Sequence, residues 1–529
     1  MIRDMEKTKQ KPGRKGRNAR IKAREEKAVS MRLSGPAYVT RKVAPLEVLD
    51  EENLDLIENN ADRILAEIGM EFRNDPEVLE IFREAGCDIQ GERVRFEPGF
   101  CRETIQATAP SEFIQHARNT LRSVHIGGNT SLFCPSFGPA FVHDMDQGRR
   151  YGTIEDFRLF VRLHQMLPSV HHSGGVLVEP LDVPVPERHL RMIHAHLTLG
   201  DKPFMGAVTA RERSEDTVEM ARIVFGSDFV SENCCVYSVV NTNAPLVLDR
   251  TMLDALKVYA RSNQAVVVSP FILAGAMSPV TVAGTLAQLL AEALAGLSLI
   301  QLIRPGAPCV FGTFSSPISL QTGAPTFGTP EGMQIQMAAS ALARRLKVPF
   351  HSVGALTSSK VPDSQAAYES ATQLTGAFLA GVNFIIHATG CLEGLLTMGY
   401  EKTVIDADRC GALAKFTEGI DLSEEAQALS AIHEIGPGGH YLGATHTQKH
   451  FETANYRAQL SDNGTYEQWS AEGSTWQHER ANRQWKQLLK EYEPPPMDES
   501  VRGELDEFIE RRLQEIRNEN TTTINSEKT

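Results

Sequence analysis

At 529 residues, 41% hydrophobic and 23% charged, the chain can bury a large core and has the make-up of an ordinary globular protein. A net charge of −13 argues against a nucleic-acid partner, and no run reaches the roughly 20 uninterrupted apolar residues of a membrane helix. Eight scattered cysteines with no CxxC pair exclude a zinc ribbon or a dithiol redox motif, and a start without the apolar core of a secretory leader fits a cytoplasmic setting.

Residues 1–35, which include EKTKQKPGRKGRNARIKAREEK, are basic and almost free of large apolar side chains, the composition of a disordered arm. Residues 45–120 read as a helical accessory segment. In LDEENLDLIENNADRILAEIG, Leu54, Ile57, Ala61, Ile64, Leu65 and Ile68 share one helical face. In NDPEVLEIFREAGCDI, Asp75 is a predicted N-cap, Pro76 occupies the first helical position and Gly86 is a stop.

From about 130 to 415 the pattern alternates. Predicted strands at 138–143, 170–177, 203–208, 235–241, 265–272, 308–314, 349–354 and 383–388 are each followed by a predicted helix. Those helices fall at 153–167, 186–199, 211–225, 250–262, 281–303, 330–346, 364–380 and 402–414. Alternating βα pairs with apolar, β-branched strands imply a parallel sheet covered by helices. Eight such pairs favour a (β/α)8 TIM barrel; a doubly wound open sheet is the alternative, although no GxGxxG follows a first strand. Residues 416–490 are read as a cap segment packed on the barrel. After the Pro494–Pro496 run, residues 494–529 hold a C-terminal helix around 500–516 and a polar tail.

In a barrel the chemistry gathers at the C-terminal strand ends. There the sequence places His171, His172, Tyr237, Ser238, Asn241, Asn243, Ser269, Thr313, Ser315, His351, Ser352 and His387, interleaved with Phe133, Phe137, Phe271, Phe314 and Phe327. Taken singly, such residues are usually core or caps. Together, neutral polar groups and aromatic faces suit a small organic cation or zwitterion, because the ring quadrupole attracts a quaternary ammonium. The stretch GVNFIIHATG (381–390) ends an apolar strand on His387, either a satisfied core histidine or a ligand group. A metal site competes: His171 and His172 are adjacent, and His446 and His450 share a helical face. HTQKH lacks the glutamate of HExxH, however, and no zinc is expected. No GxSxG elbow is present, and Cys391 beside His387 is adjacency alone.

Four stretches together resemble the trimethylamine methyltransferase family: ILAEIGMEFRNDPEVLEIFREAGCDIQGERVRFEPGF, TGAPTFGTPEG (322–332), VGALTSSKVPDSQAAYES (353–370) and GPGGHYLGATHTQKHF (436–451). The likeness runs from about residue 45 to 490. It implies a (β/α)8 barrel and transfer of a methyl group from a methylated amine to the Co(I) of a corrinoid carried by a cognate corrinoid protein. Archaeal members that use trimethylamine carry pyrrolysine, which this sequence lacks; the corresponding position falls near Ser358–Pro362. Members without it include glycine betaine methyltransferases, which this chain resembles more closely. The resemblance therefore implies a quaternary amine such as glycine betaine as donor. Trimethylamine as donor, tetrahydrofolate as acceptor, or a non-catalytic betaine-binding protein stand as alternatives. His387, Phe133, Phe137, Tyr237, Asn241, Phe314 and His351 are the expected substrate contacts. Gly323, Thr326, Phe327 and Gly328 are the expected cofactor contacts. No membrane or nucleic-acid partner is expected, and a homo-oligomer is compatible with this reading.

Overall fold

The computed structural model describes residues 35–526, so the expected basic arm lies, apart from Gly35, outside the described residues. Seven parallel strands form the body of a nine-stranded central sheet, completed by Val39–Thr40, antiparallel to the first of them, and Phe314–Pro317: β1 (Thr130–Phe133), β2 (Phe204–Met205), β3 (Val236–Thr242), β4 (Ala265–Ala274), β5 (Cys309–Gly312), β6 (Phe350–Val353) and β7 (Phe384–Ile386). Their spatial order is β2-β3-β4-β5-β6-β7-β1, so the last strand in sequence pairs with the first, Phe384 opposite Leu132. The expected alternation is borne out for six of these strands, and helices form at all eight expected places.

The side chains explain why the sheet is parallel and deeply buried. Along β3, Tyr237 and Val239 point into an inner cluster with Leu132, Val267, Val310 and Phe384. Val236 and Val240 face outward among the helices with Val266, Val268, Phe311 and Phe350. Both faces are dry, so the strands read as near-continuous apolar runs.

Two expectations about strands need correction. Residues 170–177 form no strand, yet they hydrogen-bond both edges of the sheet: His171 N–H donates to the Phe133 carbonyl (2.9 Å), Ser173 N–H to that of Pro203 (2.8 Å), and Met205 N–H to that of Gly174 (2.9 Å). Residues 138–143 do not supply the first strand of the central sheet. Phe141–Asp144 instead joins a small sheet with Gly148–Tyr151, Thr397–Gly399 and Cys391–Leu392, extending from the C-terminal ends of β1 and β7. The apolar run was visible in both cases; which sheet it joins is a tertiary choice that local pattern does not carry.

Outside the sheet, 45–120 is mixed rather than helical. Glu51–Arg63, Pro76–Glu84 and Phe100–Thr108 are helices, but Met70–Phe72, Asp88–Gln90 and Arg93–Arg95 form a sheet with Val247–Leu248. The expected cap holds: Asp75 accepts from Val78 N–H, and Pro76 opens the helix. Among the described residues one helix, Val282–Ile303, is long and apolar enough by composition to cross a membrane, although Gln288, Glu292 and Gln301 interrupt its apolar run. It lies almost wholly buried, packed on the strand β4 and on the Glu51–Arg63 and Phe100–Thr108 helices. At the other end, helix Glu499–Ser526 runs beyond its expected limits and lays Leu505, Phe508 and Leu513 into the core, while Arg512 pairs with Asp216 (2.7 Å). All eight cysteines are free thiols, seven of them buried.

Lys202 anchors the segment that spans the sheet's two edges. Its buried Nζ donates to the carbonyls of His164 (2.5 Å), Leu167 (2.9 Å) and Val170 (2.6 Å), the orphaned end of the Ile154–Gln165 helix and the approach to His171. Lys202→Ala strands these acceptors in a dry site. It is expected to destabilise the fold by at least about 2 kcal/mol, read as a lowered urea midpoint.

Candidate functional site

The strands end in an aromatic mouth. Just beyond β5, the short strand Phe314–Pro317 pairs with the far half of β4, which sets Phe314 opposite Phe271. Their rings stack at 4.6 Å and 12°. Phe327 meets Phe314 edge-on at 6.2 Å, and the His387 ring does the same at 5.9 Å and 82°. Phe137, half-buried, packs over Gly175, where any Cβ would come within 2.7 Å of the Phe137 ring.

His387 is the first residue after β7 and is held in an unusual conformation. Its φ is 57°, in the left-handed region that non-glycine residues rarely enter, and surrounding contacts enforce it. The backbone N–H of Phe137 donates to its Nδ1 (3.2 Å), while its own carbonyl accepts from Ala355 N–H (2.8 Å). An acceptor Nδ1 makes Nε2 the protonated nitrogen of the neutral ring. Burial favours that neutral form, lowering the pKa to about 3. The side chain therefore presents one fixed N–H donor beside an aromatic face.

Below this mouth lies a fully buried layer. Tyr237 stacks on Phe384 at 4.2 Å and 7°, and its hydroxyl lies 2.9 Å from His351 Nδ1. His351 in turn stacks on Phe384 at 5.1 Å, and burial with the nearby His387 lowers its pKa to about 3. Tyr237 and His351 satisfy each other and form the floor of the site.

The other expected residues separate by strand alternation. Asn241 shares the inward register of Tyr237 and Val239 at the open end of β3, is partly exposed, and pairs in register with buried Ser269. The hydroxyls of Thr313 and Ser315 lie 3.1 Å apart nearby in sequence. Phe133 must be withdrawn as a ring of the mouth. It points outward, as Ile385 does, and stacks on Phe378 of the surrounding helices, because Leu132 and Cys134 take the inward positions. Ser238 and Ser352 also face outward, bonding the Ala265 carbonyl and Gln336, and Asn243 closes a surface turn with Asp249. His171 and His172 diverge: Nδ1 of His171 accepts from Phe133 N–H, and Nδ1 of His172 from Gly174 N–H.

In the expected corrinoid loop, Gly323 has φ 73° and open space around it. Thr326 bonds the Pro317 carbonyl through its hydroxyl (3.1 Å), and Phe327 is buried against Phe314. Gly328 is required by packing, since a Cβ there would sit 2.7 Å from Glu369 Cα.

The sequence reading missed Glu369. From the Ser364–Ala380 helix its Oε2 accepts from the Thr357 hydroxyl (2.6 Å) and Ser358 N–H (2.8 Å), latching the loop after β6. Gly394 N–H donates to the Thr357 carbonyl and Glu393 N–H to that of Ser359 (2.8 and 2.7 Å), tying this loop to the one after β7. A carboxylate within the helix of the quoted VPDSQAAYES stretch was the available signal, but only the fold shows what it holds.

A parallel α/β sheet with an aromatic, hydrogen-bonding mouth defines an enzyme-type small-molecule site. The model of the trimethylamine methyltransferase (MTTB) family matches residues 13–517, and the chain belongs to that family of methyltransferases. Among similar proteins, a glycine betaine methyltransferase of Desulfitobacterium hafniense (strain Y51) is 38% identical over 470 residues, covering 89% of this chain and 98% of the relative. A trimethylamine methyltransferase MttB of Desulfitobacterium hafniense (strain DSM 10664 / DCB-2) is 26% identical, covering 87% and 92%. A proline betaine:corrinoid methyltransferase of Eubacterium limosum is 26% identical, covering 83% and 90%.

The neutral His387 has a consequence for acid stability. Its folded pKa of about 3 lies below the usual 6.5, so the unfolded chain binds a proton that the folded chain refuses. The stability it contributes is complete above pH 6.5 and is lost as pH falls toward 3. His387→Gln is therefore expected to lose about 2 kcal/mol less than the parent between pH 6.5 and 5, measured by urea unfolding at each pH.

Proposed function

We propose that the protein transfers a methyl group from a quaternary amine of the glycine betaine class to the Co(I) of a corrinoid carried by a partner protein. The observation that carries this reading is the fixed Nε2–H donor of His387 set edge-on to Phe314 in the aromatic mouth. A betaine is a carboxylate joined to a trimethylammonium: the donor suits the first, and the ring faces suit the second. Asn241, Phe137 and Phe314 would complete the pocket above the Tyr237–His351 floor. The names of the relatives, one for glycine betaine and one for proline betaine with a corrinoid, support the same substrate class.

The chemistry asks little of the protein beyond placement. The methyl carbon leaves with its C–N electron pair remaining on nitrogen, so a quaternary ammonium departs as a neutral tertiary amine with no proton needed. The corrinoid supplies the attacking electron pair. Orientation and a water-poor, preorganised site are then the protein's contribution. A histidine that stays neutral is compatible with this, since it need only donate a hydrogen bond.

Backbone bonds joining His171, Ser173 and Gly174 to both sheet edges support a (β/α)8 barrel closed through an irregular eighth segment. The loops after β4, β5, β6 and β7 each expose one large apolar side chain, Val280, Leu320, Val361 and Leu396. That rim suits docking of the protein that carries the corrinoid, with Gly323 at the open side.

The test is methylation of cob(I)alamin, followed by its absorbance, with glycine betaine, proline betaine, carnitine, choline and trimethylamine. A betaine is expected to be the best donor and trimethylamine a poor one; the reverse order would overturn the proposal. His387→Ala should weaken betaine binding by about 10- to 150-fold, the worth of one charge-assisted hydrogen bond, measured by calorimetry.

A further inference from the structure

Residues 418–476 are folded with almost no core of their own. The large apolar side chains Ile420, Leu422, Leu429, Leu442, Phe451 and Tyr466 are all exposed, and the only buried apolar residues are Ala431, Ala444 and Leu460. Its helices are short, at Glu424–Gln427, Leu429–Ile435, Thr445–His450 and Tyr466–Ala471. Segments of this kind generally need a staple beyond apolar burial to hold one shape.

The structure offers one. His446 and His450, one turn apart on the Thr445–His450 helix, have ring centroids 4.5 Å apart and aim both Nε2 atoms at a single residue of another helix, Glu425. His450 Nε2 lies 2.8 Å from Glu425 Oε1, and His446 Nε2 lies 3.1 Å from the Glu425 carbonyl oxygen. One ligand atom from each of the three residues lies within 4.8 Å of the other two, the only such group among the described residues. The glutamate that HTQKH lacks in sequence is thus supplied from elsewhere in the fold. We propose that Glu425, His446 and His450 form a zinc site, with water in the fourth position, that pins the Glu424–Gln427 helix to the Thr445–His450 helix.

Two imidazoles and a carboxylate are a ligand set that zinc accepts, whereas magnesium and calcium call for oxygen ligands. Closing the three atoms, each within 4.8 Å of the others, onto zinc at about 2.0–2.2 Å calls for rotation of side chains that are all at least partly exposed. Lys449 is the internal competitor. Its Nζ lies 2.7 Å from Glu425 Oε1, and together with His450 it holds the Glu425 carboxyl down to about 2. With its side chain 62% exposed, Lys449 can swing into solvent when a metal arrives.

The test uses the full chain stripped with a chelator, loaded with zinc, passed through gel filtration and assayed for metal by mass spectrometry. The parent protein should retain one more zinc per chain than His446→Ala/His450→Ala, with magnesium and calcium not retained. Glu425→Gln, close in shape, should weaken retention, and Lys449→Gln should hold zinc at least as well as the parent. Limited proteolysis gives a second readout: at free zinc ten times the dissociation constant, cleavage within 418–476 should slow about tenfold in the parent alone. Equal zinc content in the parent and in a double variant with an unchanged circular dichroism spectrum would overturn the proposal. Unchanged cleavage of zinc-loaded parent would overturn it as well.

Discussion

The pairing of β7 with β1 is the contact on which the site rests. It joins residues about 250 positions apart, Phe384 to Leu132 and Ile385 to Phe133, and so brings the loop after the first strand against the end of the last. Only then can Phe137 N–H reach His387 Nδ1. That bond selects the ring's tautomer, sets its plane against Phe314 and helps hold a backbone conformation the chain would not adopt alone. The Pro135 carbonyl meets His387 N–H (3.3 Å) and that of Cys134 meets Ala388 N–H (2.8 Å), so backbone bonds between the two segments continue past the strand ends into the site.

The interior around this contact is rich in polar groups, many of them uncharged histidines. His164, His171, His351 and His387 are buried, and desolvation lowers each pKa to about 3; His196 falls to about 4. Each is paired locally: His196 with Ser173 (2.6 Å), His164 with Thr389 (3.2 Å), His351 with Tyr237. Imidazoles are suited to this role because one ring can donate and accept while carrying no charge. The chain thereby fills much of a strand-lined cavity with uncharged hydrogen-bonding groups, and the cost of burying ions falls on Lys202 and the Lys402–Asp406 pair.

The alternation of strand and helix was legible because helices such as Ile154–Gln165 and Arg250–Arg261 carry their period and caps locally. Six of the seven central strands were legible as short apolar runs. Thr130–Phe133 was not: it is four residues long, and Phe141–Asp144 a few residues on looks equally strand-like. His387 stood out as a polar end to an apolar run. The outward turn of Phe133 depends on register, which shifts by a face with each residue and is decided by the partner strand. Glu369 could not be read at all, because a helical glutamate is usually solvated and nothing local shows that this one latches a loop. The meeting of Glu425 with His446 and His450 is likewise tertiary.

The buried Val282–Ile303 helix also bears on how the chain comes off the ribosome. Exposed and nascent, a 22-residue stretch of this apolarity resembles a membrane anchor and is a hazard for misrouting and aggregation. The surfaces that cover it include the Glu51–Arg63 and Phe100–Thr108 helices, which are translated well before it, whereas β5 and the Pro330–Leu346 helix come after. The N-terminal segment is thus in place to act as an intramolecular shield, receiving the helix as it emerges and shortening the time its apolar surface is open to other partners.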